Sequence, residues 1–192
     1  MKIINTAIFI SGRGSNLESL IKFSQRKNCS FKIAAVISNN NKAKGLDIAK
    51  KNKIPIVCSI TKKSFENNVE KYMHEINLIC LAGFMQILSS DFVKQWHRRL
   101  LNIHPSYLPA FKGLNAQQQA IDSNADYSGC TVHYVSPKID SGQIILQKKV
   151  KILKKDNTES LSKKILIQEH KIYPKAVEMV SKKLLSKNEI NE

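Results

Sequence analysis

Arginine is scarce in this chain. Only four of its 31 basic side chains carry a guanidinium (Arg13, Arg26, Arg98 and Arg99), yet the formal net charge is +16. A charge of that size taken alone suggests a polyanionic partner. Arginine, however, is the residue that contacts phosphates and base edges in bidentate fashion. The lysines are spread over every segment and rarely accompany aromatics. The excess therefore reads as drift toward lysine, asparagine and isoleucine codons, and no nucleic-acid partner is expected. Cysteine is equally thin: Cys29, Cys58, Cys80 and Cys130, with no C-x-x-C pair. That excludes a zinc ribbon or a disulfide framework and points to a reducing cytosol. Cys58, Cys80 and Cys130 fall in apolar, strand-like runs and are expected to be buried thiols. No metal is expected. No apolar run reaches the ~18 residues that span a bilayer, so no membrane partner is expected either. The first ten residues lack a small-residue cleavage site, which leaves a cytoplasmic reading. Seven glycines and five prolines form no linker, and no repeat or low-complexity tract is visible. The expectation is one domain over residues 1–187 with a frayed tail at 188–192.

What is present is an alternation of β and α signals. Strand-like runs fall at residues 6–11, 31–38, 54–59 and 76–84. The last is almost continuously apolar, so it should be central and buried on both faces. Helical patterns fall at 17–21, 43–53, 65–75 and 91–99, with Trp96 on an inner face. Later, 129–136 and 142–152 read as strands joined antiparallel through a turn at 137–141. Residues 157–187 read as a long helix, capped by Asn157 or Thr158 and kinked or interrupted at Pro174. The alternation predicts an α/β fold: a Rossmann-like open, mostly parallel twisted sheet with helices on both faces and an antiparallel strand near the C-terminal edge.

Between the first strand and the first helix stands Ser11-Gly12-Arg13-Gly14-Ser15-Asn16. Strand, glycine turn, helix is a layout that aims backbone N–H groups at an anion. It is not a dinucleotide fingerprint, because Leu17 stands where the third glycine belongs. Nor does Gly-Lys-Ser/Thr follow, which excludes a Walker A loop. On its own the segment reads equally well as a tight turn with Ser15 or Asn16 as the helix cap.

Chemistry concentrates in residues 101–109, Leu-Asn-Ile-His-Pro-Ser-Tyr-Leu-Pro. Asn102 and His104 are two apart on a strand and share a face. Pro105 ends the strand, leaving an amide and an imidazole at a carboxyl edge, where open α/β sheets bind ligands. Asp140-Ser141-Gly142 follows one strand later. His133, in mid-strand, reads as a structural histidine hydrogen-bonded beneath the site.

Asn102-x-His104-Pro-Ser-x-Leu-Pro109 followed by Asp140-x-Gly142 resembles the signature of the folate-dependent formyltransferases, and within them the glycinamide ribonucleotide transformylases. The resemblance spans residues 7–174. It implies formyl transfer from 10-formyltetrahydrofolate to the amine of N1-(5-phospho-D-ribosyl)glycinamide in purine biosynthesis, without a metal or a covalent enzyme intermediate. Asn102 would donate to the developing oxyanion, His104 would act as general acid, and Asp140 would favour the protonated imidazole or order a water. The resemblance implies that Gly14, Ser15 and Asn16 hold the nucleotide phosphate and that Glu169 accepts the ribose hydroxyls. It places the folate against Asn68, Met85, Gln86, Ile87, Leu88, Val135 and Ser136, together with Asn102 and Asp140. The family usually carries arginine where Gln86 stands and near Asn68, and often a polar contact where Leu166 stands, so weaker binding is expected. Alternative readings are a methionyl-tRNA formyltransferase, a formyltetrahydrofolate hydrolase, and a basic nucleotide- or nucleic-acid-binding module without catalysis. The first would be longer, with an RNA-binding barrel, and its first loop lacks Ser-Gly-x-Gly-Ser-Asn. The second normally carries an extra N-terminal domain, whereas this chain is expected to start at its first strand. A monomer or weak homodimer is expected.

Overall fold

Strand β1 (Ile4–Ile10) sends alternate side chains to opposite faces, and that alternation organises the molecule. Ile4, Ile8 and Ile10 enter one apolar cluster, while Ala7 and Phe9 enter another on the far side of the sheet. A strand buried on both faces must be central, and β1 is. The structure, a computed structural model, describes residues 2–61 and 65–190.

In chain order the remaining elements are α1 (Ser15–Ser24), β2 (Phe31–Ser38), α2 (Gly45–Lys51), β3 (Ile56–Cys58), α3 (Phe65–Glu70), β4 (Leu78–Leu81), α4 (Ser90–Gln95), β5 (Leu100–His104), α5 (Ala116–Asp122), β6 (Tyr127–Tyr134), β7 (Ile144–Lys151) and α6 (Thr158–Ile190). One sheet runs β3-β2-β1-β4-β5-β6-β7. Neighbours from β3 to β5 are parallel, and β6 is antiparallel to both β5 and β7. The single reversed strand near the C-terminal edge is thus β6.

Helices α1 and α6 cover one face, packing Leu17, Leu20, Leu161, Ile165, Tyr173 and Val177 on it. Helices α3 and α4 cover the other, where Phe65 meets Phe9 edge-on at 5.7 Å and Phe92 lies beside Trp96. Trp96 faces inward, as its position in the pattern predicts. Truncating a fully buried ring such as Phe9 costs about 3–5 kcal/mol.

Several expectations need correction. Helix α6 is not interrupted at Pro174: it runs on from Thr158 to Ile190. The proline deletes one N–H, but Tyr173 is fully buried and its hydroxyl donates to the Leu81 carbonyl at 2.8 Å, so packing holds the helix across the gap. Of the two caps expected, Asn157 is the one that acts: its Oδ1 accepts from the Ser160 amide at 2.9 Å. Cys58 is exposed, because β3 is a three-residue edge strand with, among the described residues, only β2 beside it. Cys80 and Cys130 are buried as expected, and burial pushes the Cys130 thiol up to about 12. Of the tail expected from residue 188, the backbone of 188–190 continues α6, and 191–192 lie outside the described residues.

Candidate active site

The glycine turn is built for backbone, not for a side-chain cap. Gly14 itself is the α1 cap, at φ 81°, and no side chain caps the helix. That corrects the expectation of Ser15 or Asn16. A Cβ on Gly14 would lie 2.5 Å from Gly45 Cα, so the left-handed φ and the close approach both require glycine. The α1 ladder begins with Glu18 N–H donating to the Gly14 carbonyl at 2.9 Å. The amides of Ser15, Asn16 and Leu17 therefore have no acceptor within the helix. They point outward as anion donors at the positive end of a ten-residue helix.

Freed from capping, the Asn16 side chain turns to α6 and donates through Nδ2 to Glu169 Oε2 at 2.7 Å. Residues far apart in sequence, both expected to hold the nucleotide, are thus brought together. Both are buried, and Asn16 Oδ1 has no partner. Burial raises the Glu169 carboxyl above its ordinary value, against the opposing pull of the Asn16 amide. A carboxyl whose folded value is raised contributes stability below the unfolded value and loses it as pH rises through the folded one. Ionised Glu169 is therefore a strain on the ligand-free fold. Glu169→Gln should raise the melting temperature at pH 7–8 by about 2–4 °C. The gain should shrink to nothing as pH falls to the unfolded carboxylate range, about 4. Melting curves of both proteins against pH check this; a gain independent of pH would refute it.

After β4 the chain makes an exposed apolar loop. Met85 and Ile87 are 74% and 81% exposed, whereas Leu88 turns inward against the α3–α4 cluster. The Met85 amide donates to Ser11 Oγ at 2.8 Å, and Gln86 Oε1 faces Asn39 Nδ2 at 3.5 Å. Asn68 lies on α3 and donates to Ser59 Oγ at 3.1 Å. Val135 follows β6, its amide on the Leu100 carbonyl, and Ser136 Oγ donates to the Lys138 carbonyl.

The dense cluster sits on β5 and β6. The antiparallel register sets Asn102 opposite His133 and His104 opposite Thr131. The segment after β6 folds back over this face and delivers Asp140 from a left-handed backbone (φ 45°). Gly142 makes the fold-back possible, since a Cβ there would fall 1.7 Å from the Tyr134 carbonyl oxygen. Asp140 Oδ2 lies 3.3 Å from His104 Nδ1, and Oδ1 lies 3.6 Å from His133 Nε2. Oδ2 also accepts from the Gly113 amide at 2.9 Å. Burial works to raise the Asp140 carboxyl, but the His133 contact, the Gly113 amide and the two nearby imidazoles outweigh it and hold the value low.

Carbonyl partners assign the ring protons. His133 Nδ1 donates to the Tyr134 carbonyl at 2.9 Å, and His104 Nε2 donates to the Phe111 carbonyl at 2.9 Å. The other nitrogen of the His133 ring, Nε2, stands between two groups, 3.4 Å from Asn102 Nδ2 and 3.6 Å from Asp140 Oδ1. That orients the Asn102 amide and leaves its second N–H free. His104 meets an acceptor at both nitrogens, so a proton on each is matched. Asn102, His104 and Asp140 thus lie together, Asn102 joining through His133. Grouping two imidazoles, a carboxylate and a carboxamide suits proton transfer beside a developing oxyanion.

A family model described as formyl transferase matches residues 4–177. A phosphoribosylglycinamide formyltransferase from Haemophilus influenzae is 40% identical over 176 residues, which is 88% of this chain and 82% of that protein. This chain belongs to the formyl transferase family. The family's structures share its fold: a phosphoribosylglycinamide formyltransferase from Anaplasma phagocytophilum superposes with a TM-score of 0.89 at 44% identity, over 95% of this chain and 89% of that one. The human trifunctional purine biosynthetic protein adenosine-3 is 44% identical over 188 residues. The match takes in 94% of this chain but spans only 18% of that protein's length. Among the described residues of this formyl transferase, no cluster of three or more His, Cys, Asp or Glu could hold a metal, and no helix is long and apolar enough to cross a membrane.

The candidate site of this formyl transferase rests on a buried hydroxyl that its sequence did not announce. Thr131 Oγ1 accepts from the Leu108 amide at 3.0 Å and from Gln147 Nε2 at 2.9 Å, and donates to the Ser106 carbonyl at 2.7 Å. It fastens the Pro105–Ala110 turn behind His104. Thr131→Val keeps the shape and strands those partners, each buried polar group left unpaired costing about 1–3 kcal/mol. The expected loss is about 2–4 kcal/mol in urea unfolding; a loss under about 1 kcal/mol would mean water replaces the hydroxyl. The other unforeseen members are backbone groups, the Phe111 carbonyl and the Gly113 amide. Only the glycine in Lys112-Gly113-Leu114 hinted at them.

Proposed function

We propose that this formyl transferase moves the formyl group of 10-formyltetrahydrofolate to the primary amine of N1-(5-phospho-D-ribosyl)glycinamide, giving the N-formyl product and tetrahydrofolate. The observation that carries the reading is the Asp140 carboxylate held between His104 and His133, with the Asn102 amide oriented by the latter. Relatives that share nearly the whole chain bear the name of this activity.

The chemistry follows from the groups present. The amine nitrogen attacks the formyl carbon, forming a C–N bond while the carbonyl π pair moves onto oxygen. The free N–H of Asn102 donates to that oxygen. Collapse of the adduct restores the carbonyl and breaks the bond to the folate nitrogen. His104 gives that nitrogen a proton, and the proton shed by the attacking amine restores the imidazolium directly or through a water at Asp140. For His104 Nε2 to reach the leaving nitrogen, the Phe111 carbonyl must first give up its hydrogen bond. In this reading the phosphate sits on the amides of Ser15, Asn16 and Leu17, and Glu169 receives the ribose. Met85 to Leu88, Val135 and Ser136 border the folate, with Asn68 further out. The protein works in the cytoplasm as a monomer or weak homodimer, without a metal or nucleic acid.

The test is formyl transfer by the purified protein, following the deformylated folate. Turnover that needs both substrates supports the reading. Deformylation without the nucleotide would make the protein a hydrolase. No turnover although both ligands bind would overturn the chemical assignment.

A further inference from the structure

We propose that Gln119 is a positioning residue for this reaction, holding the Lys112–Leu114 segment so that the Gly113 amide stays on Asp140. The inference rests on the activity proposed above. Residues 111–115 have an improbable backbone: Phe111 (φ 55°), Gly113 (φ 76°) and Asn115 (φ 56°) are all left-handed, and two of them are not glycine. Such a segment persists only where its surroundings over-determine it. Asn115 is the α5 cap but makes no side-chain cap bond. The restraint comes from the next turn. Gln119 Nε2 reaches back to donate to the Lys112 carbonyl at 3.1 Å and the Leu114 carbonyl at 2.8 Å. Those carbonyls flank Gly113, whose N–H donates to Asp140 Oδ2, the oxygen 3.3 Å from His104 Nδ1. One carboxamide on α5 thus fixes the donor that aims the carboxylate at the imidazole. Lys112 Nζ on Ser141 Oγ, at 2.7 Å, is a second tie between the same two loops. The Gln119 side chain is exposed, so truncating it removes no core contact.

Two variants separate hydrogen bonding from bulk. Gln119→Met keeps length and neutrality but cannot donate; Gln119→Lys restores a donor. Gln119→Met should lower kcat about tenfold, with KM for both substrates within about twofold, because a small misplacement at a reacting group acts on the transition state. Gln119→Lys should recover at least half of that loss on a logarithmic scale. The readout independent of turnover is the Gly113 amide by NMR. In Gln119→Met its proton should move upfield and exchange with solvent about tenfold faster, and in Gln119→Lys it should return toward wild type. A Gly113 amide unchanged in Gln119→Met overturns the proposal. So does an equal kcat loss in both variants. If the wild type itself transfers no formyl group while the amide behaves as stated, the activity reading fails and the structural link stands.

Discussion

Replacing His104 with alanine is expected to lower kcat by about 10³-fold while leaving KM for both substrates within about threefold. The ring is buried, and both of its nitrogens are committed: Nε2 to the Phe111 carbonyl and Nδ1 to Asp140. No other described imidazole can take over. His133 is fixed by the Tyr134 carbonyl on one side and shared between Asn102 and Asp140 on the other. The variant also strands the Phe111 carbonyl, a stability penalty of about 1–3 kcal/mol. Kinetics should therefore be taken well below its melting temperature, with circular dichroism confirming the fold. A kcat loss smaller than about tenfold would place the proton transfer on another group.

Gly14→Ala should act on binding rather than on chemistry. Alanine at φ 81° costs about 1–2 kcal/mol for its left-handed backbone alone. The added Cβ also meets the Gly45 Cα at 2.5 Å, backbone against backbone, with no flexible side chain to yield. The turn and the start of α2 must separate. The amides of Ser15, Asn16 and Leu17 then no longer converge, and Asn16 is pulled from Glu169. KM for the nucleotide should rise at least about 50-fold, and stability should fall by about 2–4 kcal/mol, or roughly 5–15 °C. Folate affinity should stay within about twofold, since Met85 and Ile87 lie on a separate loop. Equal weakening of both ligands would show that the damage is global.

Much of this arrangement was legible in the residues. The β–α alternation marks a parallel sheet because each half-buried strand must be followed by a helix that covers it. The Asn102-x-His104-Pro105 pattern marks a strand that stops with two polar groups on one face. Those readings rest on local periodicity and on proline's missing donor, which act within a few residues. What could not be read acts across the chain. The capping role of Gly14 depends on Gly45, which lies beyond α1 and β2 in the chain. The seating of Asn16 on Glu169 depends on α6 crossing α1. His133 could be read as hydrogen-bonded beneath the site, but not as standing between Asn102 and Asp140, because that depends on the β5–β6 register and on a loop folding back over the sheet. Cys58 was misplaced for a related reason: an apolar run does not say whether its strand is central or marginal. Pro174 failed as a breaker because Tyr173 is pinned in the core beside it.

The sheet has two open margins, and they are guarded differently. β3 is three residues long, too short to template another strand. β7 is eight residues long and, among the described residues, pairs on one side only, but its second half carries Lys148, Lys149 and Lys151. Lysines on an unpaired margin repel the same margin of a neighbouring copy and are costly to strip of water. Part of the surplus positive charge thus has a colloidal use. It keeps crowded copies of this protein from zippering edge to edge, so a change that neutralised those ammonium groups would open a route to aggregation without touching the active site.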